Sequence, residues 1–480
     1  MTAAAYGNLF SILWPESILE IVSLVILVVD LGWMRGETTA TRMRVASLLG
    51  SIGAVLSFAW LEMHVGIASV MGGALVSSPT VVAAQSCILI LTTLVLLLGL
   101  SVRFTRNPGE YVALVLLATT GMMLVAAARD LLIIFVALEM LSLSLYVLAA
   151  FAKDSAASAE AALKYYLFGG MSAAFMLFGF SYLYGLTGTA SLSAIAASLA
   201  IAPLTPLALV ALVLAAVGLG FKVAAVPFHL WAPDTYLGAP APVAALIASG
   251  SKVASFAVLI AVTAALVPAW GWTATLLCMA AASIVLGNLS ALVQSSVRRI
   301  LACSAIAHAG YMLLGIAAHT LAGDQSVMTY AVTYALTTVG AFGVVAIVER
   351  SAGSDRLDAF AGLSARSPLL AATLLVFLLS LAGIPPLVGF WVKFQMFAAV
   401  LRAPLASGWG LGLVMLAIAG SAVSLYYYLQ VLKRAYVTPA VISAPLKVTR
   451  LELFLLVAIA VAVVLLGIFP DMLMQWIPAV

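Results

Sequence analysis

The chain contains 480 residues, of which 65% are hydrophobic and only 8% are charged. A soluble protein carries about 25% charged residues and cannot bury this much apolar side chain. The composition therefore excludes a soluble enzyme, a disordered chain and a nucleic-acid-binding protein, and it indicates that lipid surrounds most of the chain. The formal net charge of +4 is less informative here than the positions of the charges.

Fourteen hydrophobic segments are long enough to cross a bilayer, whose apolar core requires about 20 residues of helix. They lie at residues 12–34, 44–64, 81–102, 110–128, 130–151, 162–186, 203–226, 241–267, 271–293, 299–320, 327–349, 368–400, 409–433 and 451–476. The sequence thus predicts an all-α polytopic membrane protein with about 14 transmembrane helices. The first segment follows no basic region and contains Glu16, Glu20 and Asp30, so we do not expect a signal peptide.

The basic residues predict the orientation of these helices. Loops on one side hold fifteen of them: Arg35, Arg42, Arg44, Arg103, Arg106, Lys153, Arg298, Arg299, Arg350, Arg356, Arg366, Lys433, Arg434, Lys447 and Arg450. Loops on the other side hold only Arg129 and Arg402. Because cytoplasmic loops are enriched in Lys and Arg, the first side is predicted to be cytoplasmic. Both termini are then expected on the side of the membrane opposite the cytoplasm.

The remaining four basic residues are lysines within predicted helices, Lys164, Lys222, Lys252 and Lys393. A charge in the hydrocarbon costs about 3 kcal/mol even on a lenient scale. The chain has 14 arginines and 7 lysines, yet no arginine lies inside a predicted helix core. Because lysine can lose its proton when desolvated and arginine cannot, this choice favours proton handling over structural ion pairing. Glu139 adds a carboxylate near the middle of the fifth helix.

Other ionisable residues in these helices allow two interpretations. Lys164 lies one turn after Glu160, so an ion pair or an interfacial position explains it as well as proton transfer does. His308 lies mid-helix among small residues that leave room for water, and His229 follows Pro227. A lone histidine is more often a packing residue than a proton relay, and both interpretations stay open for these two.

Two of the predicted helices contain interruptions. The seventh reads GLGFKVAAVPFHLW around Lys222, and the twelfth reads LAGIPPLVGFWVKF before Lys393. Proline removes a backbone donor and clashes with the preceding turn, and irregular backbone in a membrane is tolerated only where protein or water covers it. Paired broken helices in two halves of a chain are typical of a transport pathway. Each of the two breaks adjoins one of the buried lysines.

The breaks recur with the spacing of an internal repeat. Helices four to eight and nine to thirteen form two blocks of five, and the broken helix is the fourth of each block. Because each block has an odd number of helices, the second is expected to be inverted relative to the first. The predicted organisation is three N-terminal helices (1–109), a first repeat (110–267), a second, inverted repeat (271–433) and a C-terminal helix (434–480).

The sequence contains no recognisable redox or metal site. Cys87, Cys278 and Cys303 lie far apart inside apolar segments, without CxxC spacing. A dinucleotide-binding glycine fingerprint and an evident pair of haem ligands are also missing. We therefore expect this chain to bind no cofactor and no metal.

Taken together, the chain resembles the N-subunit family of antiporter-like subunits in bacterial proton-pumping NADH:quinone oxidoreductase (respiratory complex I). The resemblance covers essentially the whole chain and rests on KYYLFGGMSAAFMLFGFSYLYGLTG, VGLGFKVAAVPFHLWAPDTYLGAPAPVAALIASGSKVASF, RRILACSAIAHAGYMLLG and LAGIPPLVGFWVKF. It implies a proton-translocating subunit that works with the other membrane and peripheral subunits, and with ordered water. FMN, iron–sulfur clusters, NADH and quinone are then expected elsewhere in the parent complex.

The resemblance also implies roles for individual residues. Glu139 matches a glutamate that pairs with the lysine matching Lys222. Lys252 matches the central member of a proton relay, and Lys393 matches the member on the exit side. Three further residues match positions that support the pathway: Lys164, His229 and His308.

Two other functions remain open from the sequence. A subunit of a multisubunit sodium/proton antiporter, or of a membrane-bound hydrogenase complex, would use the same lysines, although no carboxylate cluster suited to a hard cation accompanies Glu139. A passive scaffold is the second alternative, but a scaffold gains nothing from buried lysines. One departure from the family is Leu237, where an acidic or amide residue is common, and it puts a polar contact of this loop in doubt.

Overall fold

The computed structural model describes residues 3–66, 68–201, 205–266, 270–440 and 446–478, and the predicted helix ends at 203 and 267 fall outside them. The helices in these ranges are α1 (Ala3–Val28), α2 (Thr39–Met63), α3 (Pro79–Leu98), α4 (Pro108–Ala127), α5 (Leu131–Ala149), α6 (Ala156–Thr187), α7 (Leu192–Ile201), α8 (Pro206–Val223), α9 (Trp231–Gly238), α10 (Ala241–Ala248), α11 (Gly250–Leu266), α12 (Trp270–Leu292), α13 (Val297–Ile316), α14 (Leu321–Ala352), α15 (Leu363–Arg366), α16 (Pro368–Ala382), α17 (Val388–Arg402), α18 (Trp409–Tyr436), α19 (Arg450–Ile468) and α20 (Asp471–Trp476). A short hairpin of β1 (Ala68–Val70) and β2 (Leu75–Ser77) pairs Ala68 with Ser77 between α2 and α3.

Thirteen helical segments in the described ranges are long and apolar enough to cross a membrane. α16 is shorter, with 15 residues, and it continues through a break into α17. α16 and α17 together provide a fourteenth crossing. The prediction of an all-α polytopic membrane protein with about 14 crossings is confirmed.

Side-chain caps determine where many of the helices begin. The first backbone N–H groups of a helix have no carbonyl partner within the helix, and a preceding oxygen atom must satisfy them. Hydroxyl or carboxylate caps of this kind precede eight helices: Thr38, Ser78, Asp130, Ser155, Thr205, Ser296, Thr320 and Thr449. They allow helix ends to lie close to the bilayer without unpaired donors.

Small residues let neighbouring helices approach closely around the buried centre. A Cβ atom placed on Gly287 of α12 would lie 2.5 Å from the backbone nitrogen of Ala307 on α13. A Cβ atom on Gly310 of α13 would lie 2.8 Å from the carbonyl oxygen of Ala280 on α12. Membrane helices associate by such backbone contacts because lipid provides little hydrophobic driving force between them. The contacts fix α13, which carries His308, against α12.

The two predicted breaks are confirmed, and they have the same backbone geometry. α8 ends where Ala224 has a φ of 59°, and α16 ends where Gly383 has a φ of 87°. The next backbone N–H in each case, at 225 and 384, bonds the carbonyl oxygen five residues earlier, at 2.8 and 3.0 Å. This is the Schellman cap of a helix C-terminus. Matching caps are what two copies of a repeat would share, while the repeat boundaries stay a prediction.

A third interruption lies at Ser249 and was not predicted. Its φ of −116° and ψ of −87° separate α10 from α11, three residues before Lys252. The Ser249 hydroxyl donates a 2.6 Å hydrogen bond to the carbonyl oxygen of Ala245. Serine favours such local bonds over regular helix, and the neighbouring Gly250 adds backbone freedom, so the segment ends one helix and begins another.

Candidate functional site

Lys222 lies buried in the last turn of α8 and faces α5. Its Nζ atom donates a hydrogen bond to the Ser142 hydroxyl, and Ser142 in turn donates to the carbonyl oxygen of Leu138. The ammonium group also lies 5.8 Å from the centre of the Tyr146 ring. The face of an aromatic ring attracts a cation at this distance. Helix α5 therefore supplies both a hydroxyl and an aromatic face to Lys222.

Glu139 lies on the same side of α5, three residues before Ser142, and is half-buried. Its charge and that of Lys222 act on each other. No ion pair shorter than 4.0 Å joins these two described residues, and Ser142 is the direct partner of the lysine. The structure thus brings Glu139 and Lys222 into one neighbourhood without direct contact.

An aromatic cluster covers the broken end of α8. The Tyr165 ring stacks on the Trp231 ring, with centroids 4.4 Å apart. The Trp231 indole donates a 3.0 Å hydrogen bond to the carbonyl oxygen of Phe221, which the break deprives of a regular helical partner. The Val226 N–H within the break donates to the Ser283 hydroxyl at 2.8 Å. These bonds satisfy the irregular backbone beside Lys222, as burial in a membrane requires.

Lys252 lies at the start of α11 and is 1% exposed. Its Nζ atom donates a 2.5 Å hydrogen bond to the carbonyl oxygen of Ala305 on α13. The ammonium group lies 5.3 Å from the centre of the Tyr334 ring on α14. Among the described residues, no carboxylate lies within 4.0 Å of this lysine, and its partners are a backbone carbonyl group and an aromatic face.

His308 lies one turn beyond Ala305 on α13 and is buried. Its Nδ1 atom is 2.7 Å from the Tyr330 hydroxyl on α14, and its ring centre is 4.9 Å from that of Tyr334. Lys252 bonds the Ala305 carbonyl one turn earlier, and Lys393 shares a cavity with the imidazole, so His308 lies near both lysines.

Lys393 is buried on α17, beyond the second break. Its Nζ atom donates to the carbonyl oxygens of Leu381 and Ala382 at 2.9 and 3.1 Å, and to the Ser421 hydroxyl at 2.8 Å. The two carbonyls end α16 and lack helical N–H partners because the helix stops there. Lys393 therefore caps the negative end of the α16 dipole.

Each break adjoins a buried lysine, but the two lysines lie on opposite sides of their breaks. Lys222 lies two residues before the left-handed residue Ala224, whereas Lys393 lies ten residues after Gly383. In the first break the Trp231 indole donates a hydrogen bond to a carbonyl group at the helix end, and in the second break Lys393 itself is the donor. The reason is that any strong donor can satisfy a freed carbonyl, so the two breaks need no common donor.

A small cavity is lined by both His308 and Lys393. Its volume is about 10 Å³, and its lining includes Tyr330, Thr333 and Thr337. A water molecule requires at least about 10–15 Å³ and two or more polar partners. The cavity is therefore at the lower limit of the space for one water beside the imidazole and the ammonium group. A direct hydrogen bond from Lys222 to Lys252 is not seen among the described residues.

The remaining two candidates lie away from this line. Lys164 is 38% exposed, and its Nζ atom pairs with Glu160 at 2.7 Å and with Asp234 at 2.6 Å. Arg299 pairs with the other oxygen of Asp234 at 2.5 Å, so the ions form a network joining α6, α9 and α13. The ion pair of Lys164 with Glu160 is therefore present, and the role of Lys164 in the proton path stays a prediction. His229 is half-buried in the first break, and its Nδ1 atom has no partner among the described residues.

Several side chains at the site escape sequence reasoning. Ser142, Tyr330 and Ser421 are uncharged polar residues of membrane helices, where such residues most often pack or bond the preceding turn. Their positions relative to the lysines follow from helix packing alone. The three-residue spacing of Glu139 and Ser142 is the one signal that could have indicated a shared face. Among the described residues, no group of three or more His, Cys, Asp or Glu side chains could hold a metal ion.

Comparison with known proteins places this arrangement among membrane subunits of respiratory enzymes. A family profile described as "NADH:quinone oxidoreductase/Mrp antiporter, TM" matches residues 128–419, the part that holds every candidate residue. The chain is similar to NADH-quinone oxidoreductase subunit N 2 of Acidobacterium capsulatum, with 47% identity over 498 aligned residues. That alignment covers 99% of this chain and 100% of the relative.

Two solved structures are similar over nearly the whole chain. A chain of respiratory complex I from Thermus thermophilus with bound aureothin has a TM-score of 0.81 and 35% identity, covering 96% of this chain and 98% of that one. A chain of the Mrp complex from Dietzia sp. DQ12-45-1b has a TM-score of 0.82 but only 20% identity, covering 99% and 96%. The second likeness shows a common fold and nothing further.

Proposed function

Because the chain belongs to the NADH:quinone oxidoreductase/Mrp antiporter family, we propose that it is a proton-translocating membrane subunit of an NADH:quinone oxidoreductase. The protons move along a line of buried side chains formed by Glu139, Lys222, Lys252, His308 and Lys393. The chain itself performs no electron transfer. Its contribution is to convert a change in charge at one end of this line into proton movement across the membrane.

The observation that supports this proposal is that the arginines at the helix ends and the buried lysines have different kinds of hydrogen-bond partner. The arginines Arg42 and Arg350 at the helix ends each pair with a carboxylate at 2.6 Å. The three central lysines bond only hydroxyl and backbone carbonyl oxygens among the described residues. An arginine must keep its charge and needs a counter-ion, whereas a lysine can lose its proton when desolvated. The neutral partners leave each lysine free to do so.

The first transfer starts at the pair of helices α5 and α8. The Glu139 carboxylate attracts positive charge to Lys222, which Ser142 holds in place. When quinone chemistry elsewhere in the complex shifts Glu139, Lys222 releases its proton toward Lys252. Two protonated lysines in one low-dielectric region repel each other, so the sites titrate as a coupled set.

The later transfers use contacts around α13. A proton on Lys252 passes to the region of His308, one helical turn from the carbonyl group that holds the lysine. The cavity between His308 and Lys393 has space for the water that completes this step. Ser421 and the open end of α16 stabilise the cation on Lys393, and from there the proton leaves the membrane. Lys164 supports the path by fixing α6 against α9, and His229 lies at the exposed edge of the first break.

The remaining parts of the parent enzyme lie on other subunits. FMN, the iron–sulfur clusters and the sites for NADH and quinone belong to its other membrane and peripheral subunits, with which this chain assembles. The chain lies in the bacterial inner membrane as a multi-pass protein. Its basic loops face the cytoplasm, and both termini face the periplasm.

The proposal is tested by substituting Lys222 in the intact complex reconstituted into liposomes. Lys222→Met removes the charge that Ser142 and Glu139 surround, and we expect NADH-driven proton uptake per electron to fall. The matched control is Lys153→Met, which removes a lysine charge from an exposed loop. Undiminished uptake in Lys222→Met would overturn the proposal. Proton movement that requires sodium in the medium would instead favour the antiporter alternative.

A further inference from the structure

A basic pocket lies at the predicted cytoplasmic ends of the helices, away from the lysine path. Its volume is about 320 Å³, and it is bounded by the start of α2, the segment after α3, the end of α14 and the start of α19. Four basic side chains line it: Arg44, Arg103, Arg350 and Lys447. No acidic side chain is among its described lining residues.

One of these four cations is already neutralised. Arg350 bonds both oxygens of Glu452, at 2.6 and 3.0 Å, and also the carbonyl oxygen of Lys447 at 2.7 Å. Glu452 in addition accepts the Thr449 N–H at 2.9 Å, so its lone pairs are engaged within the protein. The side chains of Arg44, Arg103 and Lys447 have no hydrogen bond or ion pair with any described residue. The pocket thus has three positive charges without a counter-ion.

Two other arginines on this side of the membrane have acidic partners. Arg42, only two residues before Arg44, bonds both oxygens of Asp30 at 2.8 and 2.6 Å. Arg298 pairs with Glu349 at 3.2 Å. Arg44, Arg103 and Lys447 are exposed and have no such partner among the described residues. Because like charges that line one concave site repel each other, an anion is the ligand whose charge fits this pocket.

The geometry of the pocket favours a phosphate group. The hydroxyl groups of Thr39, Ser101 and Thr105 lie in its wall and can donate hydrogen bonds. Guanidinium groups such as those of Arg44 and Arg103 bind phosphate oxygens through two parallel bonds.

The surface beside the pocket indicates that this phosphate belongs to a lipid. Along α2, one and more turns below Arg44, the apolar side chains Leu48, Ile52 and Val55 are 48%, 55% and 54% exposed. They extend from the basic pocket toward the centre of the membrane. Basic pockets between transmembrane helices on the cytoplasmic side bind anionic headgroups, and this apolar strip suits an acyl chain.

We propose that this pocket binds the phosphate group of an anionic phospholipid from the cytoplasmic leaflet. Arg44, Arg103 and Lys447 surround the phosphate, and an acyl chain lies along the exposed face of α2. The bound lipid neutralises the pocket and fills the space between the N-terminal helices and α19. The site is independent of the lysine path.

The test uses the intact complex in detergent, with phosphatidylglycerol as the probe and retained lipid measured by native mass spectrometry. The double variant Arg44→Gln with Arg103→Gln should bind phosphatidylglycerol about 30-fold more weakly than the unchanged protein, because each basic residue near an anionic headgroup contributes about 1 kcal/mol. The matched control is Arg356→Gln, a basic residue on the same side that does not line the pocket. It should bind phosphatidylglycerol as the unchanged protein does.

Further ligands and variants in the same measurement identify the source of the phosphate and exclude misfolding. Phosphatidylcholine should be retained poorly by every variant, and inorganic phosphate should not displace phosphatidylglycerol. The pair Arg44→Lys with Arg103→Lys keeps both charges and should retain phosphatidylglycerol even where the Gln pair assembles badly. Equal loss of lipid in the Arg356→Gln control, or no loss in the Gln pair, would overturn the site. Displacement by inorganic phosphate would overturn the lipid as its ligand.

Discussion

The ammonium group of Lys252 donates a 2.5 Å hydrogen bond to the carbonyl oxygen of Ala305 on a neighbouring helix. Ala305 lies one turn before His308 on α13, so the two face the same direction. A backbone carbonyl accepts from a protonated lysine but does not require one, in contrast to a carboxylate. The bond thus fixes the position of the lysine near His308 without fixing its charge, and this property defines the proposed path.

Ser142 is expected to tune Lys222 without carrying the proton across the membrane. Ser142→Ala removes the hydroxyl that contacts Nζ and leaves the Tyr146 ring as a remaining partner. We expect proton uptake per electron to fall only in part in reconstituted complex, because Glu139 still attracts the charge. The control is Ser144→Ala, whose hydroxyl bonds the Met140 carbonyl on the same helix. Equal effects of the two variants would contradict the assigned contact.

Tyr330 is expected to hold the His308 imidazole in the orientation that allows proton transfer to Lys393. Tyr330→Phe removes the hydroxyl 2.7 Å from Nδ1 and keeps the ring. Loss of a buried hydrogen-bond partner costs about 1–3 kcal/mol, so the imidazole should reorient and proton transfer to Lys393 should slow. Quinone reduction coupled to proton uptake is the measurement. Tyr334→Phe is the control, since Tyr334 contacts the imidazole through its ring. A larger effect of Tyr334→Phe would contradict this prediction.

Two adjacent glycines of α6 provide a sharp test of packing beside Lys222. A Cβ atom on Gly169 would lie 1.8 Å from the Tyr146 hydroxyl oxygen, whereas one on Gly170 would have nothing within 4 Å. Gly169→Ala should therefore displace Tyr146 and destabilise the protein by about 1–3 kcal/mol. Gly170→Ala should have little effect. Thermal unfolding of the two variants in detergent is the measurement. Equal unfolding midpoints would contradict a close contact between Gly169 of α6 and Tyr146 of α5.

Two ion pairs of different burial are expected to contribute unequally to stability. Glu452 is 3% exposed in its side chain and pairs with Arg350, whereas Asp358 is 73% exposed and pairs with Arg434 at 3.5 Å. Glu452→Gln leaves Arg350 partly buried without a counter-ion and should cost about 3–5 kcal/mol. Asp358→Asn should change stability by less than about 1 kcal/mol. Comparable losses in unfolding measurements would contradict the difference in burial.

Much of the fold could be predicted because the membrane restricts the chain so strongly. Hydrophobic length indicated fourteen crossings, and proline with glycine indicated the two breaks at Ala224 and Gly383. The interruption at Ser249 was missed because serine and glycine also occur inside regular membrane helices. The short helices α7 and α9 were missed for a related reason, since they lie between crossings and carry little signal of length.

Of the candidate site, only the charged residues could be predicted from the sequence. Lys222, Lys252 and Lys393 are prominent in the sequence because a charge in hydrocarbon is costly. Their partners are not prominent: Ser142 is an ordinary small polar residue, and a backbone carbonyl such as that of Ala305 has no sequence signature. Which groups each lysine contacts depends on how the neighbouring helices pack, and the sequence carries no signal of that packing.

The most direct test of the proton path is the number of protons moved per electron by the Lys252→Arg complex in liposomes. Arginine keeps the positive charge and the ability to bond the Ala305 carbonyl, but it cannot release a proton at physiological pH. Lys153→Arg in an exposed loop is the matched control, and assembly is checked by quinone reduction without a proton gradient. The account predicts that Lys252→Arg still reduces quinone but moves clearly fewer protons per electron than the control. An unchanged ratio would contradict it, because the lysine would then serve only as a fixed charge.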